Sequence, residues 1–71
     1  MTQSEFISTL KIMGFRNNFD SLRLNDIDVQ MQFDYIYILS NGLTSAFPLK
    51  ETDKAIKFII KELERDKLKS K

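Results

Sequence analysis

Residues 21–48 read SLRLNDIDVQMQFDYIYILSNGLTSAFP, and the spacing of apolar side chains along them decides the fold. Leu22 and Leu24 alternate with Ser21 and Arg23, while Ile27, Val29, Met31 and Phe33 alternate with Asp28, Gln30 and Gln32. A period of two belongs to a half-buried strand, whose successive side chains point to opposite faces. Asn25-Asp26 separates the two runs and suits a two-residue hairpin loop, which sets Leu24 opposite Ile27, Leu22 opposite Val29 and Arg23 opposite Asp28. That register gathers four apolar side chains on one face and an ion pair on the other; a slip of one residue would scramble both.

From Tyr35 to Leu39 the chain is apolar at every position, as expected of a central strand. Asn41-Gly42 then supplies a second two-residue loop, placing Ser40 opposite Leu43, Ile38 opposite Ser45 and Ile36 opposite Phe47, before Pro48 closes the pairing. One continuous strand from Ile27 to Leu39 would run 13 residues. Strands usually run about 3 to 10 residues, so a bulge or strong bend is expected near residues 33–35. If the odd-numbered residues of such a strand face the core, Ile36, Ile38, Leu43 and Phe47 lie together on the open face; a bulge would reverse their orientation. Four clustered apolar groups there would form a protein interface, with a homodimer as the simplest outcome.

Helices are expected on both flanks. Thr2 and Glu5 have the T-x-x-E spacing of a capping box, Phe6, Ile7, Leu10 and Met13 form an apolar stripe, and Gly14 is placed to end the helix in a left-handed conformation. Ile12 falls on the opposite side, near a partner or another strand, and residues 16–18 follow as a loop. A second helix begins near Thr52 with Ala55, Ile56, Ile59, Ile60 and Leu63 as its buried stripe. The expected architecture is α+β: a two-layer α-β-β-β-α sandwich, with a three-stranded antiparallel meander carrying both helices on one face. Residues 1–65 form the single small domain, and residues 66–71 a basic, frayed tail.

The order α-β-β-β-α resembles that of the double-stranded RNA-binding domain, whose second helix opens with a lysine cluster; Lys50, Lys54 and Ala55 stand at the matching place, while the Gly-Pro-x-His loop of that family is absent. The resemblance implies a nucleic-acid-binding module working through its second helix.

The formal net charge of +1 conceals an asymmetry. Residues 1–49 carry three cations and five carboxylates, a net −2, whereas residues 50–71 carry eight cations and five carboxylates, a net +3. Lys50, Lys54, Lys57, Lys61 and Arg65 recur at helical spacing, with Phe58 roughly 40° from the stripe's centre at 100° per residue. Cations around an aromatic ring suit nucleic acid or an acidic partner.

With neither Cys nor His in 71 residues, the chain has no disulfide, no thiolate ligand and no Ser-His or Cys-His pair. Asn25, Asp26 and Asp28 open like an oxygen-rich cation loop, but Gln30-Met31 breaks the pattern, so neither a metal nor a cofactor is expected. No run approaches the roughly 20 apolar residues of a membrane span, and a cytoplasmic address is expected. Phe, Ile, Lys, Asn and Tyr make up 28 of the 71 residues, a usage typical of AT-rich genes. Together these features point away from an enzyme. They favour a small interaction protein, such as a phage or mobile-element regulator or inhibitor, that binds a host macromolecule.

Overall fold

A computed structural model describes the backbone of residues 2–69 and the side chains of residues 2–65. The chain forms helix α1 (Gln3–Met13), strands β1 (Arg16–Asn18), β2 (Ser21–Leu24), β3 (Ile27–Gln32), β4 (Tyr35–Ser40) and β5 (Leu43–Pro48), and helix α2 (Thr52–Lys69). The five strands build one open antiparallel sheet in the order β1-β2-β3-β4-β5, so the chain is α+β. Five strands in place of three set it apart from the α-β-β-β-α order that suggested an RNA-binding module.

Both added strands arise from two-residue loops. Phe19-Asp20 joins β1 to β2 with Asn18 opposite Ser21, and residues 16–18, expected as a loop, are thereby drawn into the sheet as its edge. Phe33-Asp34 joins β3 to β4 with Gln32 opposite Tyr35, so the expected 13-residue strand is a hairpin folded at its midpoint. The expected pairs Arg23–Asp28 and Leu24–Ile27 are present in β2–β3, as are Ser40–Leu43 and Ile36–Phe47 in β4–β5.

The central hairpin corrects the expected orientation of β4. A two-residue loop places Met31 opposite Ile36 and Val29 opposite Ile38, and directly opposed residues share a face. Core-facing positions therefore change from odd numbers in β3 to even numbers in β4. Ile36 and Ile38 are fully buried, in one cluster with Phe6 and Leu10 of α1, Leu22, Ile27 and Val29 of the sheet, and Ala55 and Ile59 of α2. The surface expected of Ile36, Ile38, Leu43 and Phe47 does not exist, because its two central members lie inside the protein.

Local chemistry sets the ends of α1. The Thr2 N–H donates to Glu5 Oε1 at 2.9 Å and the Glu5 N–H donates to Thr2 Oγ1 at 3.2 Å, so each side chain satisfies a backbone donor left free by the helix start. At the other end Gly14, at φ 113°, gives its N–H to the carbonyls of Leu10 and Lys11. That conformation costs glycine little and turns the chain so that Phe15 is buried.

Helix α2 continues to Lys69, past the expected end near Arg65; Ser70 and Lys71 lie outside the described residues. Ile59 is fully buried, but Ile60, expected on the same stripe, is 43% exposed. At 100° per residue the two point far apart, and the buried stripe runs through Ala55, Ile59 and Glu62. Glu62 is the exception on that face, a buried carboxylate that accepts a hydrogen bond from Ser40 Oγ at 2.8 Å, with the Arg65 guanidinium 3.7 Å away. This contact ties α2 to the end of β4.

Replacing Ile59 with Ala should cost about 2–5 kcal/mol in denaturant unfolding, and replacing Ile60 with Ala clearly less, because only the former opens a cavity. Ser40→Ala, which leaves the buried Glu62 without its donor, should cost about 1–3 kcal/mol by the same measurement. The Thr2 backbone N–H, and after it the Thr2 hydroxyl, hold the Glu5 carboxyl below its ordinary value. Its capping contribution is thus present above the unfolded carboxyl's pKa, roughly 4.3, and is lost as pH falls through the folded value. Glu5→Gln should remove that acid-side dependence, as followed by unfolding between pH 2 and pH 6.

Candidate interaction surface

Each residue singled out in the sequence has a definite place. Phe47 is half-buried and stacks at a tilt on Phe58 of α2, ring centroids 5.5 Å apart. Leu43 is 71% exposed at the start of β5, alone of the four expected interface residues. The cations Lys50, Lys54, Lys57, Lys61 and Arg65 are all exposed. Two are engaged locally, Lys54 with Glu51 at 3.0 Å and Arg65 with Glu62 at 3.7 Å. Asp53, Ile60 and Glu64 share the exposed side of the helix with them. Phe58 packs inward on the sheet, so it does not offer a free ring to stack on a base.

The sheet face turned away from the core carries Arg23, Asp28, Gln30, Tyr37, Leu39 and Thr44, paired across the strands. The last five of these help to line a shallow groove of about 280 Å³. Arg23 approaches Asp28 Oδ2 at 3.7 Å, while Asp28 Oδ1 is buried without a hydrogen-bond partner. Tyr35 and Tyr37 lie beside each other with ring centroids 6.3 Å apart. The groove holds one carboxylate and no second acid to divide acid and base roles with it. Among the described residues no group of three acidic side chains is placed to hold a metal ion. Among the described residues no helix is long and apolar enough to cross a membrane.

The most unusual chemistry lies at the hairpin tips, where sequence reasoning placed nothing. Phe19 is 100% exposed and Phe33 is 93% exposed. Both occupy the first position of a two-residue loop with positive φ, 57° and 55°. The equivalent positions of the other two loops are Asn25 and Asn41, residues that tolerate the left-handed region. For a bulky side chain that conformation costs about 1–2 kcal/mol, and here no packing returns it. Successive hairpins turn at alternate ends of a sheet, so the β1–β2 and β3–β4 tips share one end. They stand two strand spacings apart, roughly 10 Å. Each Phe is followed by an aspartate, Asp20 or Asp34, and among the described residues neither aspartate has an ion-pair partner. A signal was present in the sequence, where Phe-Asp occurs twice, each time directly before a strand.

No family model matches the chain, and neither a curated protein nor a solved structure matches it.

Phe19→Asn and Phe33→Asn should each leave the fold intact and raise its stability by up to about 1 kcal/mol, since both relieve the left-handed strain and remove no contact. Denaturant midpoints at constant slope measure this; a loss of stability would mean that the rings pack on the chain itself.

Proposed function

We propose that this chain is a non-catalytic interaction protein that binds a folded protein partner through the end of the sheet where Phe19 and Phe33 stand exposed. The observation that carries this reading is the pair of phenylalanines, one wholly and one 93% exposed, held at positive φ, a conformation unfavourable for a bulky side chain. Local strain with no return inside the fold is characteristic of residues kept for function. Burying each ring in a partner's apolar socket is worth about 1.5–3 kcal/mol, and two rings on one rigid sheet bind without ordering a loop first. Asp20 and Asp34 beside the rings favour sockets rimmed by Lys or Arg, and they oppose docking on nucleic acid or on an anionic lipid surface. Occupying such a surface is how a small regulator or inhibitor acts. The absence of His and Cys, and the single carboxylate of the sheet groove, support a role without covalent chemistry.

The test is a paired capture from the lysate of the cell in which the chain is made, before and after nuclease treatment, with the natural chain and with the Phe19→Asn/Phe33→Asn variant. The natural chain should retain a protein that survives nuclease, and the variant, at equal or greater stability, should lose it. Undiminished capture by the variant would overturn the assignment of the site. Retention that disappears with nuclease would overturn the protein-partner reading in favour of nucleic acid.

A further inference from the structure

The two edges of the sheet differ. β1 is three residues long and begins with an exposed Arg16, a short and charged edge that resists pairing. β5 is six residues long, Leu-Thr-Ser-Ala-Phe-Pro, and carries no charge; Pro48 at its end is its one blunting device. Ser40 and Leu43 flank a two-residue loop and so form a mutually hydrogen-bonded pair, after which bonded and non-bonded pairs alternate. Leu43, Ser45 and Phe47 therefore turn their backbone groups toward β4, and Thr44 and Ala46 turn theirs outward. Both are exposed, and among the described residues neither N–H has a backbone partner in a turn or loop. Charge is supplied next to this edge: Lys61 and Arg65 of α2 line a cleft of about 290 Å³ together with Leu43, Ser45, Phe58 and the buried Glu62, which lies 3.7 Å from the Arg65 guanidinium and leaves Lys61 as the cleft's unpaired charge among the described residues. Lys54 and Lys57 extend the cationic side along the helix.

We propose that the free edge of β5 and the cationic side of α2 form a docking cleft for an extended acidic peptide segment, taken up as a sixth strand. Thr44 and Ala46 supply the ladder, two N–H donors and two carbonyl acceptors, and Pro48 ends it. Side chains of the incoming strand that point to the helix side meet Lys61, which lines the cleft and has no ion-pair partner among the described residues, and an apolar one covers Leu43. Charge decides among occupants. A second copy paired edge to edge would bring two stripes of Lys54, Lys57 and Lys61 toward each other, and nucleic acid has no peptide groups to extend a ladder. The cleft lies at the Asn41-Gly42 end of the sheet, opposite the Phe19 and Phe33 tips, so it stands or falls independently of the function proposed above.

The probe is a displayed library of random heptapeptides, selected on the full chain. Enrichment of sequences with two or more net negative charges is expected. A fluorescein-labelled enriched peptide should then bind at least about tenfold more weakly to Ala46→Pro, which removes an outward N–H and leaves the β4 ladder whole, and to Lys61→Glu. Hydrogen exchange of the Thr44 and Ala46 amides in the natural chain should slow when the peptide is added, a readout that needs no variant to fold. Phe19→Asn/Phe33→Asn should bind the peptide unchanged. Selection without acidic enrichment, unaltered exchange at both amides, competition by a single-stranded oligonucleotide stronger than by the unlabelled peptide, or a dimer in sedimentation that Ala46→Pro dissolves would each overturn the proposal.

Discussion

Four two-residue loops set everything else in this small protein. A loop of that length leaves no freedom in strand pairing, because the residues on either side must face each other, and each pairing then assigns every side chain of the next strand to one face or the other. Through the chain of pairs Leu22–Val29–Ile38 and Met31–Ile36–Phe47, the loops assemble one apolar surface from five short strands. No strand is longer than six residues, and none has a core of its own. Phe6 and Leu10 from one helix and Ala55 and Ile59 from the other complete a single cluster with that surface. In a chain of 71 residues without cysteine, stability of a few kcal/mol depends on this convergence.

Where a loop is built from residues with a known preference for turning, the structure was legible in the sequence. Asn25-Asp26 and Asn41-Gly42 announced themselves, and the registers on either side followed with them. Phe19-Asp20 lies outside both period-two runs, and at Phe33-Asp34 the sequence points only to a bulge or bend, because phenylalanine in a period-two run reads as one more core position. Missing the second of these loops joined two strands into one and carried the parity of β3 unbroken into β4, which turned Ile36 and Ile38 outward on paper while they lie in the core. In α2 the periodicity is sound but the expected stripe is too wide: it includes Ile59, which is buried, and also Ile60, which is exposed. Glu62 illustrates a different limit: its burial depends on Ser40, 22 residues away, and no local pattern marks such a partner.

The candidate site is hidden in the sequence for the same reason. Clustered apolar residues and repeated cations are the two binding patterns that a sequence makes visible. The core absorbed the first, and the second is half neutralised by its own carboxylates, Glu51 and Glu62. What remains conspicuous is a mismatch between a side chain and its backbone: a large ring where the turn would rather have asparagine or glycine. Such a mismatch is visible only once the backbone is known, since strain is a property of conformation and not of residue type.

Placing the rings on turns has a further consequence for how this molecule can change over time. The side chains of residues 19 and 33 lie outside the core while their backbones make the turns, so the rings can be exchanged for other turn-compatible side chains without repacking the interior. Loss of recognition there is thermodynamically downhill, because the commonest turn residues would make the free protein more stable. A lineage released from its partner would therefore drift toward asparagine or glycine at both tips while keeping the sheet, and one confronted with an altered partner could exchange one ring for another at little risk to the fold.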